Sequence, residues 1–148
     1  MFIQTKYLGE IEIVEEKIIY FDTGIPGFPN ETKFVILDLP GNKLIQILQS
    51  VKTAELAFII TNPHYFYQDY HFTLDDHIIE TLHITEEKDI VILSIMTVQE
   101  PFHSSTINLQ APLVINLKNK RAKQYILPHN TYEMKAQISL PVKDRRGV

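Results

Sequence analysis

Phe34-Val35-Ile36-Leu37-Asp38-Leu39-Pro40-Gly41-Asn42-Lys43-Leu44-Ile45-Gln46-Ile47-Leu48-Gln49 is the stretch that decides the fold class. Two apolar runs, residues 34–37 and 44–49, flank Pro40-Gly41-Asn42. Proline presets one φ and glycine supplies a positive one, so the trio reads as a compact hairpin turn between two strands. The same grammar recurs on both sides. Upstream, Glu10-Ile11-Glu12-Ile13-Val14 alternates polar and apolar residues, which predicts a strand with one wet and one dry face. Lys17-Ile18-Ile19-Tyr20-Phe21 follows a Glu15-Glu16 turn. Asp22-Thr23-Gly24-Ile25-Pro26-Gly27-Phe28-Pro29 carries two glycines and two prolines, so it must be an ordered turn or a loop.

Downstream, residues 56–61 form another apolar strand, stopped by Asn62-Pro63. The run Ile90 to Val98 is nearly continuous in apolar residues, which predicts burial on both faces. A last hairpin joins residues 112–117 to residues 122–127 through Lys118-Asn119-Lys120-Arg121. The period changes only around residues 73–83. There Thr73 and Asp76 read as a capping box, and Ile78, Ile79 and Leu82 share one side of a helix of about ten residues. About nine strands and a single short helix predict an all-β, antiparallel, barrel-like domain, because closure removes open sheet edges. Residues 1–140 read as one domain and residues 141–148 as a charged tail that frays.

The chain has 148 residues, enough for one self-sufficient core, and no cysteine, which excludes disulfides and thiolate chemistry. Neither a secretory leader nor an apolar run of membrane-spanning length is present, so the expected address is the cytoplasm. The net charge of −4 is unevenly spread. Residues 118–148 hold eight Lys/Arg against Glu133 and Asp144, whereas residues 1–117 hold six basic and sixteen acidic groups. Such an acidic body repels phosphate backbones, so direct nucleic-acid binding is not expected, while a basic protein partner is attracted.

The patterns that carry chemistry are weak. His71, His77 and His83 are spaced by six, about 600° on a helix, so they point apart and lack the spacing of a metal pair. Asp75 and Asp76 beside His77 are ordinary complements to a helix N-terminus. His103-Ser104-Ser105 has no nucleophile elbow around it, and Gly24-Ile25-Pro26-Gly27 lacks the Lys-Ser/Thr of a phosphate loop. No catalytic, cofactor-binding or metal-ligating residue is assigned, and no cofactor is expected.

Residues 21–28, Leu48-Gln49-Ser50, Ala57-Phe58, Asn62-Pro63 and Ser105-Thr106-Ile107-Asn108-Leu109-Gln110-Ala111-Pro112 together resemble the FliW family of bacterial flagellar assembly factors, from about residue 3 to residue 135. The resemblance implies a small β-barrel-like protein without catalytic activity. It implies two partners: flagellin, and the carbon storage regulator CsrA, a basic RNA-binding homodimer that represses flagellin translation. Unsecreted flagellin would occupy the factor and free the regulator; after export, the factor would sequester the regulator.

On this view Glu86, Glu87 and Asp89, or Glu10, Glu12, Glu15 and Glu16, face the basic partner. Asn108 and Gln110 hold loops or join the interface. Gly24, Pro26, Gly27, Phe28, Gln49, Ser50, Pro63, Leu109 and Pro112 are architectural: Gly27 supplies backbone freedom, Pro112 starts a strand, and Phe28 and Leu109 are buried anchors. The competing expectation is a small-ligand carrier or enzyme using the barrel interior, which would show a deep polar pocket gathering several histidines and acids.

Overall fold

The hairpin of the opening stretch is the centre of the sheet. In the computed structural model, which describes residues 1–138, β4 (Lys33–Leu39) and β5 (Asn42–Ser50) pair antiparallel, with Phe34 opposite Ser50 and Leu37 opposite Ile47. Gly41 takes φ +82 at the turn. Next come β6 (Ala57–Thr61) and β7 (Ile90–Thr97), each antiparallel to its neighbour. The first residues of β7, Ile90 to Leu93, pair with β9 (Leu113–Asn116), which pairs in turn with β10 (Arg121–Gln124). β3 (Ile19–Tyr20) bridges β10 and β4, and the sheet closes on itself. β8 (Thr106–Ile107) extends from the far end of β7, and β11 (Ala136–Gln137) follows it.

The fold is therefore all-β and barrel-like, as expected, with two departures. β3 runs parallel to β10, through the single pair Arg121 and Tyr20, so the barrel is not wholly antiparallel. The described residues hold eleven strands, because three- and two-residue strands join the longer ones. One such pair, β1 (Phe2–Gln4) with β2 (Glu10–Glu12), makes a separate hairpin. The expected tail at 141–148 lies outside the described residues.

Side-chain alternation sends one residue of each pair inward. Phe21, Phe34, Leu48, Ile60, Leu113 and Ile115 meet inside the barrel, all fully buried. Each such side chain contributes roughly 1.5–3 kcal/mol relative to exposure. The outward residues are roofed by other segments. The β1–β2 hairpin sets Ile3 and Ile13 on Val35, and residues 66–72 set Tyr70 on Met96 and Leu109. The helix α1 (Asp76–Thr81) sets Ile78 on Val114, with Leu82 at its C-cap in the same cluster.

α1 is shorter than expected and is capped differently. Its six residues follow Asp75, whose carboxylate accepts the Ile78 N–H at 2.9 Å, where a Thr73 capping box was expected. An aspartate directly before the first turn outcompetes a threonine two residues earlier, because only the former sits where the free N–H groups point.

Candidate partner-binding surface

Two tight segments hold many of the residues singled out by sequence. In the first, the Gly24 N–H donates to the Phe21 carbonyl at 2.7 Å and the Phe28 N–H donates to the Ile25 carbonyl at 2.6 Å. Gly24 has φ +72 and Gly27 φ +92, values that favour glycine. A Cβ on Gly24 would also run into the Phe28 carbonyl oxygen and Pro29. Pro26 lies between the bridged residues Ile25 and Phe28. Phe28 itself is 41% exposed, contrary to its expected role as a buried anchor. Its ring meets Phe58 edge-on, with centroids 6.0 Å apart.

In the second segment, the Asn108 amide oxygen accepts the N–H groups of Gln110 and Ala111, both at 3.0 Å. The Gln110 amide donates to the Leu127 carbonyl at 2.6 Å and accepts the Tyr132 N–H at 3.0 Å. Leu109 is 2% exposed, and its carbonyl accepts the Tyr70 hydroxyl at 2.6 Å. Burial, and then the nearby Tyr132, push the Tyr70 phenol well above its ordinary pKa. Pro112 directly precedes β9, and its carbonyl accepts the Tyr125 N–H at 2.8 Å.

Gln49, Ser50 and Pro63 serve similar ends. The Gln49 oxygen accepts the Lys6 N–H at 3.0 Å, while its amide nitrogen faces the carbonyls of Ser50 and Ala54 at 3.1 Å. Thr53 and Ser50 donate their hydroxyls to the two oxygens of Glu31, which holds that carboxyl below its usual value. Pro63 opens a 3-10 turn whose His64 N–H is accepted by Asn62 at 2.9 Å.

The acidic residues lie elsewhere. Glu86 is exposed and 3.7 Å from the Lys88 ammonium, and a 3-10 turn Glu87–Asp89 leads into β7. Leu117 donates its N–H to the Asp89 carbonyl at 2.9 Å, and Asn119 donates to the Leu82 carbonyl at 3.0 Å. These two bonds seat the basic turn 118–121 beside the end of α1 and the Asp89 end of the acidic segment. Glu10, Glu12, Glu15 and Glu16 are on the separate β1–β2 hairpin and the turn after it, all exposed.

Glu86 and Glu87 also edge a groove of about 710 Å³, floored by Phe72, Leu74, Ile79, Ile84, Ile90 and Ile92. His64 and His71 line the same groove, whereas His77 lines a second hollow with Lys123 beside the Gly24–Gly27 turn. Among the described residues no group of three His, Asp or Glu side chains is placed to hold a metal ion. No described helix is long and apolar enough to cross a membrane.

The model of the family described as FliW protein matches residues 2–138. The chain belongs to the FliW family. A flagellar assembly factor FliW of Oceanobacillus iheyensis is 50% identical over 141 residues, covering 95% of this chain and 96% of that protein. The flagellar assembly factor FliW of Bacillus subtilis is 45% identical over 138 residues, covering 93% and 96%. A crystal structure of the flagellar assembly factor FliW superposes with a TM-score of 0.89 at 43% identity, covering 93% of this chain and 96% of that one.

Within this FliW-family barrel, the residues singled out by sequence fall into two groups. Gly24, Gln49, Ser50, Asn108, Leu109, Gln110 and Pro112 spend their polar atoms or backbone geometry inside the chain, while Glu86 and Glu87 face outward. The groove was missed. Its floor comes from four separate stretches, and the signal available was the surplus of isoleucine on both faces of β7.

Proposed function

We propose that this chain is a cytoplasmic flagellar assembly factor that binds flagellin and, when flagellin is scarce, sequesters a CsrA-type RNA-binding regulator, thereby relieving repression of flagellin translation. The observation that carries this reading is the match over nearly the full chain to proteins named flagellar assembly factor FliW. A barrel filled by Phe21, Phe34, Leu48 and Ile60 leaves the outer surface as the place to act, so the chain works by docking and not by catalysis.

Sixteen acidic against six basic groups in residues 1–117 suit a basic regulator. Both acidic sets expected at that interface keep solvent-facing carboxylates, and we assign the regulator contact to Glu86 and Glu87 because they also edge an apolar groove. Asn108 and Gln110, engaged within the chain, act by shaping the surface. Flagellin capture relies instead on apolar anchors, because a subunit that assembles exposes hydrophobic surface before it does so.

The test uses purified flagellin and purified regulator, each titrated into the labelled chain at low and high salt. Charge attraction acts over about 8 Å at physiological salt, so the regulator's association rate should fall steeply as salt rises, while flagellin binding changes little. Added flagellin should displace the regulator. Equal salt slopes would remove the acidic surface from the regulator interface, and a regulator complex that flagellin leaves intact would overturn the partner switch.

A further inference from the structure

The outward row of β7 is Ile90, Ile92, Ser94 and Met96. Its second half is roofed: Ser94 is fully buried, and Met96 packs with Tyr70, Ile107 and Leu109. The roof stops there. Ile90 and Ile92 are only half-buried, and Phe72, Leu74, Ile79 and Ile84 around them are half-buried too, each with a wet face toward the same groove. Six large apolar side chains sharing one hollow form a contiguous patch of the kind that marks an interaction site.

Charge selects the occupant. Glu86 and Glu87 stand exposed on one rim, and the ammonium of Lys88 that approaches Glu86 is itself solvent-facing and screens it little. His64 and His71 line the same groove. An acidic guest would meet repulsion at the carboxylate rim, and a purely polar one would gain nothing from the floor. We infer that this groove seats an amphipathic, basic segment of a protein partner, its apolar side chains on the Ile79–Ile84–Ile90–Ile92 floor and its Lys or Arg residues against Glu86 and Glu87. The inference rests on reading the chain as a partner-binding protein, and adds the place and the chemistry of one contact.

The probe is a synthetic Leu/Lys amphipathic peptide, set against a Leu/Glu peptide and a Ser/Lys peptide of the same spacing, added to the full chain with labelled isoleucine methyls. The Leu/Lys peptide should shift the methyl signals of Ile79, Ile84, Ile90 and Ile92, and the other two should leave them in place. Ile84→Asp and the paired Glu86→Lys/Glu87→Lys variant should each weaken that binding at least about tenfold. Should Ile84→Asp fail to fold, the paired reversal decides alone, since it alters only exposed carboxylates. Equal shifts from the Leu/Glu peptide, or shifts confined to methyls outside the groove, would overturn the inference. The same variants are then titrated with purified regulator and flagellin. If both bind every variant as they bind the unaltered chain, the groove is wrong and the assembly-factor reading stands. If neither binds even the unaltered chain, that reading fails while the peptide assay still judges the groove.

Discussion

Residues 24–28 and residues 105–112 are both marked segments at the margin of the barrel, yet their side chains are used differently. The first is held by backbone: two short N–H···O=C bonds and a glycine where any side chain would overlap the Phe28 carbonyl. The second adds side chains to its backbone pairing, with Asn108 and Gln110 satisfying backbone groups while Leu109 is buried between them. A reversal built from backbone leaves its side chains free to face outward, as Phe28 does. One built from side chains uses them up. Two segments that look equally marked in the sequence therefore differ in how much surface they can offer a partner.

The contrast can be broken at three points. Gly24→Ala should have the largest effect, about 4 kcal/mol of stability lost, since a left-handed conformation is combined with overlap against backbone that cannot swing away. A urea titration showing near-normal stability would mean the turn is not backbone-held. Leu109→Ala should follow at about 3 kcal/mol, the usual range for emptying a fully buried leucine site. An unchanged melting curve would remove the second segment's anchor. Phe28→Ala should cost least, about 1 kcal/mol, because the residue is 41% exposed and lies outside the barrel core. A loss as large as that of Leu109→Ala would show that the ring holds the turn after all.

Legibility followed the length of the element. The hairpin of β4 and β5 could be read because two apolar runs and a Pro-Gly-Asn turn agree, and β7 because its apolar run is long. β1, β8 and β11 are two or three residues long, too short for any period to show, and exist because a partner strand is already in place. The parallel pairing of β3 with β10 joins residues a hundred positions apart, which no local pattern encodes. Of the surface, the charge of Glu86 and Glu87 was legible, but their neighbourhood was not. Leu82, Asp89 and the basic turn come together through hydrogen bonds of Asn116, Leu117 and Asn119, distant in sequence from the acidic segment. Phe28 misled because aromatic residues are usually read as core, whereas the turn's geometry overrides the ring's hydrophobicity.

The barrel closes through two seams of unequal strength. On one side β7 is laced to β9 from Ile90 to Leu93; on the other, β3 touches β10 at Tyr20 and Arg121, supported by the Tyr20 N–H donating to the Lys120 carbonyl at 2.8 Å. The second seam is a mere pin, one bridge with the Arg121–Asp22 ion pair at 3.5 Å beside it, and local opening follows the weakest set of bonds. That pin belongs to the same basic turn whose other bonds reach Leu82 and Asp89 at the margin of the acidic segment. The turn that lies beside the acidic segment is therefore also the one that completes the wall of the cylinder.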